Sequence, residues 1–228
     1  MRTGFWQRRR RQILILISVL LVAGMVGAGG YVGLKIQRRR GARKALARAK
    51  EAYAKGDWLT AGRNYWIYLQ RFPNDLQALR ACADALLKTE GEDEQRRLSR
   101  AIGALRRAVR LDPGDTESMQ KLADIYLATG QLAEAETIAR RWQQADPQQA
   151  GSYLVLAQVY ERLGRTSEAI DLLKQAINRL PDQDRLYTLL VRLLGAQPQT
   201  ARDQAQWIRR ALAACPDSAI VHLMAARY

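Results

Sequence analysis

Few side chains here could do chemistry. Of 228 residues one is a histidine, His222, and two are cysteines, Cys82 and Cys215. A zinc-protease helix needs two histidines one turn apart, and a serine or cysteine triad needs a histidine beside its nucleophile. With His222 alone, neither can be assembled. No glycine-rich phosphate loop follows a strand, because no stretch reads convincingly as a strand. Acid pairs such as Glu134 and Glu136 fall on solvated helix faces, where a carboxylate is ordinarily just hydrated. The sequence therefore predicts no catalytic, cofactor-binding or metal-ligating residue, and a protein that is not an enzyme.

Charge is more informative. The chain carries 37 Lys and Arg against 22 Asp and Glu, a formal +15. Residues 1–50 hold thirteen of the bases and no acid, so residues 51–228 are left with 24 bases against 22 acids, or +2. A nucleic-acid binder spreads basic residues over its folded domain. Here the folded part is nearly neutral, which argues against a nucleic-acid partner.

The elements that must position any binding residues are visible in 116–149. Met119, Leu122, Ala123 and Tyr126 share one face of a helix, Gly130 breaks it, and Ala135, Ala139 and Trp142 make a second stripe that Pro147 ends. Moved on by 34 residues, the pattern recurs as Tyr153, Leu156, Ala157, Tyr160, Gly164, Ala169, Leu173, Ala176 and Pro181. This resembles the tetratricopeptide repeat, a helix-turn-helix unit of that period. Ala123, Ala135, Ala157 and Ala169 stand where the paired helices cross, and larger side chains would force them apart. The same frame reads repeats at 42–75, 76–115, 116–149, 150–183 and 184–218, with a partial one at 219–228.

Three repeats depart from the pattern. The first carries Arg48 where later ones have leucine, as suits a terminal unit. The second is six residues too long, and its excess around Thr89 to Leu98 includes an acidic loop, Glu90 to Glu94. The fifth has Pro198 and Gln199 at its turn, and Gln204 with Ala205 straddles the small-residue position, so an offset second helix is expected. Ile220, Val221, Leu223 and Met224 would leave apolar surface open unless further repeats or another protein cover them. Cys82 and Cys215 lie in distant repeats, which argues against a bridge.

Ahead of the repeats, residues 1–12 form a basic tail with Arg8, Arg9, Arg10 and Arg11. Residues 13–34 carry no charge and as a helix would span ~33 Å, enough for a ~30 Å hydrocarbon core. Residues 35–41 form a basic juxtamembrane linker. A cleavable signal peptide ending near Val26-Gly27-Ala28 is the rival, but the apolar run continues past that site. Small residues such as Gly29 and Gly33 would also permit a homodimer through the span. Basic residues flank both ends, so topology stays open between a bacterial inner-membrane anchor with the repeats on the periplasmic side and a cytoplasm-facing domain.

The expected fold is thus all-α, a right-handed α-α superhelix preceded by one transmembrane helix. The resemblance implies a concave wall built from first helices, and by it the partner-binding residues are Arg80, Asp84, Gln120, Asp124, Leu154, Gln158 and Arg192. The Lys and Asn pairs of the carboxylate-clamp subfamily are missing at those places. The reading is a membrane-anchored adaptor for a protein or peptide, serving assembly of a bacterial envelope complex. Its alternatives are the N-terminal part of a larger repeat-containing enzyme or secretion machine, and a cytoplasm-facing import receptor.

Overall fold

The computed structural model describes residues 37, 39–91, 93–196 and 201–227, and among them every regular element is helical. The expected tail, the transmembrane span 13–34 and the Pro198–Gln199 turn lie outside the described residues. Among the described residues no helix is long and apolar enough to cross a membrane. Within the basic stretch 35–41, residues 39–41 are already helical and open the first helix, α1, residues 39–54.

The chain divides at Asp75/Leu76 into two compact units. In the first, α1 is followed by α2 (Trp58–Leu69). Gly56 takes φ 75° between them, so that Asp57 N donates back to Ala52 O at 2.9 Å. Asp57 then caps α2 by accepting from Thr60 N at 3.1 Å. Ala45, Ala49, Ala52, Ala61 and Tyr65 are buried between the helices, while Arg48 is exposed. The Tyr53 ring meets Trp58 edge-on at 5.1 Å. Tyr68 Oη donates to Asp75 Oδ2 at 2.7 Å, and burial, with that carboxylate, pushes its phenol up to about 12.

The second unit strings together α3 (Leu76–Lys88), α4 (Glu94–Leu111), α5 (Thr116–Ala128), α6 (Leu132–Ala145), α7 (Ala150–Arg162), α8 (Thr166–Arg179), α9 (Asp184–Gly195), α10 (Ala201–Ala214) and α11 (Ala219–Arg227). Each helix packs on the next, and α5, α7, α9 and α11 also touch in series. This is a solenoid of helix hairpins in which each unit leans on its neighbours. The hairpin turns have a backbone reason: Gly130 and Gly164 both take φ 74°, and the following residues donate to carbonyls five back, Gln131 N to Tyr126 O and Arg165 N to Tyr160 O, each at 2.8 Å. Between hairpins, Asp112 and Asp146 are forced extended by Pro113 and Pro147. Ala123, Ala135, Ala157 and Ala169 are completely buried at the crossings.

Two details differ from expectation. The excess length of the second repeat goes mostly into helix: Glu94 to Leu98 are the first residues of α4, which runs for 18 residues against 14 in α6 and α8. Asp93 starts it by accepting from Arg96 N at 3.3 Å, and Glu94 adds a favourable charge to the first turn. In α10, Gln204 stands at the small-residue position and Ala205 faces out. Gln204 fits because its Nε2 donates to Val191 O at 3.3 Å, giving its buried end a partner.

Candidate functional site: the first-helix face

The seven expected partner-binding residues all lie on first helices, α3, α5, α7 and α9, but they divide sharply by what they already touch. Arg80 Nε donates to Asp115 Oδ2 at 2.8 Å and its Nη2 reaches Asp112 Oδ2 at 3.3 Å, tying α3 to the turn before α5. Asp115 is itself an N-cap, accepting from Ser118 N at 3.1 Å and Ser118 Oγ at 2.5 Å. Its side chain is 1% exposed. Burial pushes that carboxyl up, but Arg80 and Ser118 outweigh it and the net direction is down.

Asp84 is similarly occupied, paired with Lys88 at 2.9 Å and with Lys121 of α5 at 3.4 Å. Burial works against the Lys121 ammonium, yet Glu117 and Asp84 together hold it charged. Arg192 grips Glu161 of α7 with both terminal nitrogens at 2.7 Å each. That fork lowers the Glu161 pKa below the ordinary carboxylate value. At the α5/α7 junction, Arg162 Nη1 donates to Leu127 O. A cationic side chain thus fastens each successive pair of first helices from α3 to α9. Sequence reasoning misses Lys121, Glu161 and Arg162, because nothing in the 34-residue frame marks which polar residue reaches the next hairpin.

The other four residues are left over. Gln120 and Asp124 are exposed on α5, Leu154 and Gln158 half-buried on α7. Gln120 and Leu154 are in register, as are Asp124 and Gln158, on helices that touch. None of Gln120, Asp124 and Gln158 makes a side-chain hydrogen bond or ion pair among the described residues. The Asp124 carboxyl is exposed but crowded: desolvation raises its pKa, and no cation stands near enough to offset this. The patch combines one uncompensated carboxylate, two amides that can each donate and accept, and an apolar contact. That set suits a peptide whose backbone groups meet the amides and whose basic side chain meets Asp124.

Farther along, Thr188 and Arg192 of α9 and Ile220, Leu223 and Met224 of α11 line a cavity of ≈ 460 Å³. His222, the one histidine, faces elsewhere: its Nε2 lies 2.7 Å from Pro216 O and must carry the hydrogen to bond there. Cys82 and Cys215 are buried and form no disulfide, and burial pushes Cys82 up to about 12. Glu136, expected to be merely solvated, is ion-paired to Arg140 at 2.8 Å.

Helix hairpins in series, with a polar patch on touching first helices, define a class of repeat scaffold. Two tetratricopeptide-repeat family profiles match the chain, over residues 94–154 and 150–193. Residues 94–193 thus carry tetratricopeptide repeats. Among solved structures, it is similar to the MamA protein at TM-score 0.63 and 19% identity, over 82% of this chain and 95% of that one. It is also similar to TTC0263, a thermophilic repeat protein of Thermus thermophilus, at TM-score 0.52 and 21% identity, over 82% and 97% of the two chains. A third likeness is to YrrB, described as having an unusual peptide-binding site, at TM-score 0.59 and 11% identity, over 81% and 91%. No curated protein matches the chain.

Proposed function

We propose that this protein is a non-catalytic adaptor that captures a protein or peptide segment on the first-helix face of its repeats while its N-terminus is held in a membrane. One observation carries the binding half: among the described residues Gln120, Asp124 and Gln158 stand together without side-chain partners, on a surface where Arg80, Asp84, Lys121, Glu161 and Arg192 are all paired. Leaving a desolvated carboxylate unpaired is unfavourable for folding alone, so its place in the patch is best accounted for by a ligand. The peptide-binding site ascribed to YrrB gives the fold a precedent for this use.

The membrane half rests on the 22 uncharged residues from Ile13 to Leu34 between cationic flanks. Tethering raises the local concentration of whatever the repeats recruit, without new contacts. We place the span in a bacterial inner membrane with the repeats on its outer side, serving assembly of an envelope complex. The small residues of the span supply a face for homodimerisation.

Crosslinking pulldown from membranes tests the binding site directly. Partners recovered with the wild type should be lost from Asp124→Lys combined with Gln158→Glu, since both changes are on exposed or half-exposed positions and leave the hairpins intact. An unchanged set of partners would remove the first-helix face as the site.

A further inference from the structure

The opposite side of the second unit holds a groove of different character. Among its second helices α4 stands apart, with six arginines against one glutamate, whereas α6 and α8 each balance two acids with two bases. That excess of five exceeds the +2 of the entire stretch 51–228. Arg106 and Arg110 are one turn apart and share a face of α4, and across from them α6 presents Arg141. Between the two rims, Val109, Tyr126 and Ile138 floor a cavity of ≈ 360 Å³. The three arginines make no ion pair or hydrogen bond among the described residues. Glu134 is the one acid in the lining, so the rim keeps a net +2.

This groove is separate from the Asp124 patch. Tyr126 of α5 is two residues out of step with Asp124, and two residues turn a helix by ~200°, so the two side chains leave α5 on opposite sides. Tyr126 is buried and lines the same cavity as Arg106 and Glu134.

We propose that the α4/α6 groove is a second docking surface, for an acidic peptide segment that seats a large apolar side chain on Val109, Tyr126 and Ile138 while its carboxylates meet Arg106, Arg110 and Arg141. Charge complementarity selects the acid, and free guanidiniums are suited to bidentate carboxylate recognition. The apolar floor selects protein over nucleic acid, whose phosphates would meet the arginines without filling it. With a first-helix patch that prefers a basic segment and a groove that prefers an acidic one, the same scaffold would bridge two unlike partners.

The test titrates the full chain, in neutral detergent, with fluorescein-labelled peptides read by anisotropy. The probe places glutamates one turn apart around a Leu-Trp ridge. Its controls are the same peptide with the ridge replaced by serine, a polyglutamate, a single-stranded oligonucleotide and anionic vesicles. The patterned peptide should bind, weaken about tenfold with Arg110→Glu plus Arg141→Glu, weaken less with the matching glutamine pair, and bind Asp124→Lys as it binds wild type. These arginines are exposed and unpaired, so the variants should melt like the wild type. No binding of the patterned peptide, or equal binding by the charge-reversed chain, overturns the proposal. So does the same tenfold loss, on that charge reversal, in the binding of the serine-ridge peptide, polyglutamate, oligonucleotide or vesicles, which would mark a general polyanion patch.

Discussion

Tyr153, Tyr187 and His222 occupy one position of three successive first helices, and each side chain meets the carbonyl of a proline six residues earlier, at 3.1, 3.0 and 2.7 Å. The histidine thus does what tyrosine does elsewhere, a role its place in the frame foreshadows. Gly151 plays a part of another kind. A Cβ there would lie 2.3 Å from Trp142 Cη2 and 2.9 Å from Cζ2, and the indole cannot retreat because it is buried and its Nε1 donates to Gln149 Oε1 at 2.8 Å. Gly151→Ala should therefore cost about 2 kcal/mol in denaturant unfolding, although alanine is the better helix former.

Asp115 and Asp124 predict opposite responses to pH. Asp115, with its folded pKa below the ordinary value, contributes stability above its unfolded value of about 4 and loses it as pH falls through the folded value. Arg80→Ala strands that buried carboxylate. The variant should be about 2 kcal/mol less stable than wild type at pH 7, the half-exposed arginine keeping the loss below that of a fully buried pair. The gap should narrow below about pH 4 in urea melts at a series of pH values. Asp124 has a raised folded pKa, so its charge disfavours the fold above that value and protonation relieves the cost. Asp124→Asn should leave stability at pH 7 unchanged or slightly higher while weakening partner binding, a split that a purely structural residue would not show.

At the scale of elements, the hairpins are legible in the sequence because their signals are local. Glycine at 56, 130 and 164 is required by a left-handed turn, proline at 113 and 147 forces the residue before it extended, and alanine marks each crossing. What escapes is decided across repeats. Of the residues expected in the binding wall, Arg80, Asp84 and Arg192 instead fasten neighbouring hairpins, because the pattern shows which face a residue is on but not which long side chain reaches the next unit. The second repeat's extra length reads as loop because Glu90 to Glu94 is acidic, yet Asp93 caps a helix from there onward. Asp93→Ala should cost about 1 kcal/mol. Its mark should be local, with faster hydrogen exchange at Arg96 and its neighbours and little change in α6 or α8.

Over the whole chain, charge is divided into separate regions. Thirteen bases crowd residues 1–50, α4 carries a net +5 of its own, and the first-helix patch bears a single uncompensated carboxylate. Such segregation suits a scaffold that meets a lipid surface, an acidic segment and a basic segment at different places. The most direct measurement of its central claim is hydrogen exchange on the full chain, with and without the partner recovered by crosslinking. Protection should appear on the fragments covering Thr116–Ala128 and Ala150–Arg162. Protection confined to the second helices, or none, would contradict the account.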